Sequence, residues 1–89
     1  MSAIAEKTVD KQVVVEAVQQ RLQVRHPGGA NLTALPQSVR HEQDWWYVNV
    51  RPDKEPPKQF EYYEALAEVE TEMLTQENII VLLLPTPAE

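Results

Sequence analysis

Apolar residues recur at Val14, Val18 and Leu22, with Val15 and Ala17 beside them. A spacing of four places them on one stripe of a helix. The pattern predicts a helix over 9–25, with Thr8 or Asp10 accepting from free amides at its start. The run His26-Pro27-Gly28-Gly29 stops it, because proline cannot continue a helix and glycine accepts a left-handed turn. After a polar loop the period changes to two, which predicts strands over 35–42 and 45–51. In the second of these, Trp46, Val48 and Val50 share one face, and Trp45, Tyr47, Asn49 and Arg51 share the other. A two-residue loop, Gln43-Asp44, sets His41 opposite Trp46, Val39 opposite Val48 and Arg40 opposite Tyr47. A three-residue loop would set Arg40 against Val48, so matching of apolar faces selects an even loop; because Gln-Asp is a poor pair for the tight primed turn, a four-residue loop of the same register is the alternative.

Pro52 ends the second strand by removing a ladder donor. The stiff link that follows holds Pro56 and Pro57, either of which suits the first turn of a helix. Tyr62, Leu66, Val69 and Met73 then fall at spacings of four, three and four, which predicts a helix over 57–76. The run from Asn78 to Leu84 is apolar on both faces and predicts a strand over 78–84, ended by Pro85. The order is α-β-β-α-β. It implies an α+β fold: a two-layer sandwich in which a three-stranded sheet, a β-hairpin plus one strand after a helical crossover, packs on two helices. The crossover is expected to be right-handed if the strands it joins are parallel. Residues 1–7 are expected to form a flexible tail and 8–89 a single domain.

Composition narrows the chemistry. A chain of 89 residues makes one domain with a small core. Hydrophobic residues are 43% and charged residues 25%, which is the balance of a globular domain and not of a disordered one. The net charge of -6 argues against nucleic acid and anionic membrane as partners, since phosphate contacts need a basic face. With no cysteine, disulfides, thiolate catalysis and a cysteine zinc site are excluded. The N-terminus shows no basic patch followed by an apolar run, and the longest apolar run, Ile79–Leu84, is too short to span a bilayer. These features imply a soluble, cytosolic protein of the bacterial type.

No residue set for catalysis stands out. The two histidines, His26 and His41, have no serine or aspartate at motif spacing, and the two serines, Ser2 and Ser38, have no adjacent base. His26 reads as a helix-end residue favoured by the dipole, and His41 as a hairpin residue packed on Trp46. Phosphate-binding glycine loops, metalloprotease helices and calcium loops are absent from the sequence. Glu61, Glu64, Glu68 and Glu72 form an acidic row on one face of the second helix, with no Lys or Arg four residues on to offset it. The row reads as a solvated face, or as a divalent-metal site or dock for a basic partner. The histidines of a di-iron carboxylate site are missing from it. No cofactor and no metal is expected.

The adjacent tryptophans raise the sharper question. Neighbouring strand residues point to opposite faces, so Trp45 and Trp46 cannot both enter one core. Trp46 goes inward. Trp45 and Tyr47, with Arg40, Asn49 and Arg51, are left on the far face, covered either by one of the chain's own helices or by a partner. The last strand, through Ile79, Ile80, Val81, Leu82 and Leu83, wants burial on both faces and carries no blunting residue before Pro85, which marks it as a candidate dimer edge. These features together suggest a non-enzymatic protein-interaction module (an adaptor, a chaperone-like factor or an inhibitor), homodimeric by pairing of these strands or stacking of the open faces. The alternative is an anionic-ligand or catalytic cleft near Arg40, Trp45, Tyr47, Asn49 and Arg51, where two arginines beside aromatics would hold a planar anion.

Overall fold

A computed structural model describes residues 10–88. The predicted tail and Thr8 lie outside the described residues. Helix α1 spans Lys11–Leu22, and strands β1 and β2 span Leu32–Glu42 and Trp45–Pro52. Helix α2 spans Gln59–Glu77 and strand β3 spans Ile80–Pro85. The arrangement is α+β, with two helices and a three-stranded mixed sheet in the order α-β-β-α-β. Asp10 caps α1 by accepting from the Val13 amide at 3.0 Å. The helix ends at Leu22, short of the expected 25, and at His26, just before Pro27, the chain has left the helical region with φ -134 and ψ 72. Pro56 and Pro57 lie ahead of α2 rather than in its first turn, and Lys58 is its N-cap residue.

In the sheet, β2 is central, antiparallel to β1 and parallel to β3. Gln43-Asp44 is the hairpin loop, with His41 opposite Trp46 and Arg40 opposite Tyr47. Gln43 alone of the two takes positive φ, at 57°. Positive φ at the first loop residue is a feature of the tight primed turns whose twist matches that of the strands. Two expectations for β1 change. The strand starts at Leu32, where Leu32 and Ala34 alternate into the core. It then bulges: Leu35 pairs with Asn49 and Arg40 with Tyr47, so residues 36–39 fall opposite Val48 alone. Val39 therefore does not pair with Val48, although it packs against the core from within the bulge. Pro36 explains the interruption, since it offers no ladder donor, and Ser38 Oγ closes the bend by donating to Leu35 O at 2.9 Å.

Both helices cover the same face. The buried cluster joins Val14, Val18 and Leu22 of α1 to Leu32 and Ala34 of β1, to Trp46, Val48 and Val50 of β2, and to Val81 and Leu83 of β3. Tyr62, Ala65, Leu66, Val69 and Met73 of α2 complete it. Helix α1 lies over β1 and α2 over β3, and the two helices touch side by side. Burying these side chains contributes about 1.5–3 kcal/mol for each large aliphatic one, which must offset the ordering of the chain.

Local devices hold the ends. Asn78 takes the left-handed conformation after α2 (φ 57, ψ 38), and its amide donates to Leu74 O at 3.1 Å, which turns the chain sharply into β3. Gly28 also has positive φ, at 61°, and packs so closely on Pro57 that a Cβ would run into that ring. Asp53 ties the start of β1 to the end of β2. Its carboxylate accepts from the Asn31 amide and from Asn31 Nδ2, both at 2.9 Å. Those two hydrogen bonds hold the Asp53 carboxyl below its ordinary value.

Candidate interaction surface

With both helices on one side, the other face of the sheet is left uncovered by the described elements. Pairing register fixes what lies there. Glu42, Trp45 and Ile80 form one row across the three strands, and Arg40, Tyr47 and Leu82 form the next. Leu35, Asn49 and Leu84 form a third, and Thr33 and Arg51 a fourth. Trp45 is 42% exposed, whereas Trp46 on the opposite face is 7% exposed. The two adjacent tryptophans are thus divided between core and open face. Arg40 sits over the Tyr47 ring, with its guanidinium carbon 5.0 Å from the centroid, and lies 3.5 Å from Glu42. A cation–π contact at such an exposed site is worth roughly 0.5–1 kcal/mol. The apolar residues of the face lie along β3 and at Trp45 and Tyr47, while Arg40, Glu42, Asn49 and Arg51 lie on the β1 and β2 side, and aromatic and arginine residues are the types enriched at protein contact surfaces.

Arg40, Trp45, Tyr47, Asn49 and Arg51, the residues of the anionic-ligand alternative, lie together on this open face. Clefts open at its ends. One of about 410 Å³ opens between the hairpin loop and the end of α2, lined by His41, Asp44, Trp46, Leu74, Asn78, Ile79 and Ile80. In its wall the His41 imidazole stacks on Trp46, with centroids 3.9 Å apart and planes 4° from parallel. His41 is thus a hairpin residue packed on Trp46. Arg51 lines a smaller cleft with Thr33, Pro52 and Asp53.

The acidic row meets two arginines that the pattern of α2 alone did not reveal. Arg25 Nε lies 3.2 Å from Glu68 Oε1, and an Arg25 terminal nitrogen lies 2.5 Å from Glu72 Oε2. Arg21 reaches Glu77 at 3.0 Å and Gln76 at 2.8 Å. Its Nε lies 3.5 Å from Glu72 Oε1, an ion pair without hydrogen-bond geometry. Glu72 is therefore clamped to Arg21 of α1 and, with Glu68, to Arg25 in the segment just after it, while Glu61 and Glu64 stand at the far end of the row beside Arg25, His26 and Pro27. A signal existed: Arg21/Arg25 and Glu68/Glu72 are two pairs of opposite sign at spacing four, each flanking an apolar stripe. Among the described residues no group of three His, Asp or Glu side chains is placed to hold a metal ion, and no helix is long and apolar enough to cross a membrane.

The candidate dimer edge divides as well. Ile79 is buried under the end of α2, Val81 and Leu83 face the core, and Ile80 and Leu82 belong to the open face. β3 lies at the sheet edge, but the edge is not bare. The Leu83 amide donates to Glu70 Oε2 at 2.9 Å. No family model, no curated protein and no solved structure matches this chain.

Proposed function

We propose that this chain is a small, non-enzymatic protein-interaction module that works as a homodimer, with the open face of its sheet as the contact between two copies. The observation that supports this most is the row order on that face. Trp45, Tyr47, Ile80, Leu82 and Leu84 form one apolar field that neither helix covers. Two such faces stack about 10 Å apart in the manner of a β-sandwich, which would give each copy the second apolar layer that a short chain lacks. Three strands about 4.8 Å apart, crossed by rows about 6.8 Å apart, make a field of roughly 15 by 25 Å. That is small for a permanent interface and is the size of a weak, reversible one. Of the two modes open to the chain, stacking is favoured over edge pairing, because the Leu83 amide on the edge is already occupied.

Dimerisation leaves the helical layers outward, where Glu61 and Glu64 flank the clamped part of the acidic row. In this reading they are the side offered to a further, basic partner, in the role of an adaptor or inhibitor. The test is light scattering on a size-exclusion column over a dilution series, with the natural chain and Trp45→Ala run together. A dimer that dissociates on dilution, and dissociates at about tenfold higher concentration in Trp45→Ala, agrees with the proposal. A chain that stays monomeric up to about millimolar concentration would overturn it.

A further inference from the structure

Glu70 has a place in the fold that its charge alone does not explain. Strand β3 is an edge strand, apolar on both faces, with no lysine, bulge or proline between Ile80 and Leu84. Such edges pair readily with other strands. Successive backbone groups of a strand point alternately to the two sides. The Thr86 amide donates to Val50 O of β2 at 2.9 Å, so Ile80, Leu82 and Leu84 direct their backbone groups toward β2. Val81, Leu83 and Pro85 direct theirs outward. The outward Leu83 amide donates to Glu70 Oε2 at 2.9 Å, and Pro85 has no N–H. Val81 is left as the donor that an incoming strand can use.

We infer that Glu70 is an edge guard: its carboxylate occupies the Leu83 amide and so prevents β3 from pairing with β3 of a second copy. A two-fold axis beside β3 would set the two edges antiparallel, a self-complementary arrangement that joins both sheets into one. That pairing needs the outward amides of each copy. An ionised carboxylate is a stronger acceptor than the peptide carbonyl that would replace it. Glu70 lies on the flank of α2 away from α1, where its side chain drops past the helix to the strand below, whereas Glu68 and Glu72 turn to Arg25, in the segment just after α1. The guard thus directs self-association away from the edge. The inference does not rest on the face dimer, since it concerns a different surface.

The experiment uses the full chain in a Trp45→Ala background, in which the face contact is weakened. Glu70→Ala frees the amide, Glu70→Gln keeps an acceptor oxygen at the same reach, and Glu64→Ala removes the same charge away from the edge. Sedimentation equilibrium should show association strengthened by at least about tenfold in Glu70→Ala, with Glu70→Gln and Glu64→Ala within about threefold of the parent. Equal association in Glu70→Ala and the parent overturns the inference. So does an equal rise in all three variants, which would report net charge instead. If Glu70→Ala fails to fold, amide exchange in the natural chain decides at low concentration. The Leu83 amide should exchange at least about tenfold more slowly than the Val81 amide, as expected for a hydrogen bond to a charged acceptor. Equal rates would refute the guard. A monomeric natural chain would end the face-dimer reading without touching this one.

Discussion

Removing the Arg25–Glu72 pair tests whether the acidic side of α2 is part of the fold or free for a partner. The Arg25 side chain is 16% exposed and the Glu72 side chain 33% exposed. Two unit charges about 4 Å apart attract by about 4 kcal/mol at an effective dielectric constant of 20. Desolvation and loss of side-chain freedom offset most of that, and exposed pairs retain only about 0.2–1 kcal/mol. This pair is partly buried, and Arg25 is also fixed by donating to Arg21 O at 2.8 Å. The expected coupling is therefore about 1 kcal/mol, near the top of the exposed range. Urea melts of the natural chain, Arg25→Ala, Glu72→Ala and the double variant close the cycle. The cycle matters because Arg25→Ala alone also removes packing of its stem. Raising the salt to 1 M, where the screening length is about 3 Å, should reduce the coupling by about half. A coupling below about 0.3 kcal/mol, the ordinary error of additivity, would refute the clamp and return the whole row to solvent or to a partner.

Two further outcomes follow from local geometry. Gly28→Ala should cost about 2–4 kcal/mol in chemical denaturation, from the positive φ and the collision with Pro57 together, whereas Gly29→Ala, with only the flexible Lys54 side chain near its Cβ position, should cost less. Tyr62 donates to Val50 O at 3.1 Å, and burial pushes its hydroxyl up to about 12. The folded state therefore holds this proton more tightly than the unfolded state does, so stability is full below about pH 10 and falls as pH rises toward 12. An ultraviolet absorbance titration should show one late tyrosine that vanishes in Tyr62→Phe; equal titration in both would refute the assignment.

What the sequence discloses here depends on how local the cause is. The faces of β2 follow from alternation, and the hairpin register follows from matching Trp46 to His41, because a slip of one residue would exchange core for solvent. The stripe Tyr62, Leu66, Val69 and Met73 is buried as its spacing requires. The start of β1 was hidden because Pro36 splits the strand, so that Leu32 and Ala34 look like part of a loop. On which face each helix packs is a property of the whole chain, and no period in either helix encodes it. The composition of the sheet faces does bear on it: Ala34, Val48, Val50 and Leu83 make one face apolar except for His41 at its end, while Arg40, Asn49 and Arg51 interrupt the other. The candidate surface around Trp45 was legible on that ground. Glu70 was not, since a side chain that meets a backbone amide thirteen residues away leaves no pattern.

The most direct test of the stacked-face dimer is nuclear magnetic resonance on a mixture of isotopically labelled and unlabelled chains, read for contacts that pass only between copies. The account predicts such contacts among Trp45, Tyr47, Leu82 and Leu84 and none from Val81 or Leu83. Contacts from Val81 or Leu83, or their absence at every concentration at which the chain remains folded, would contradict it.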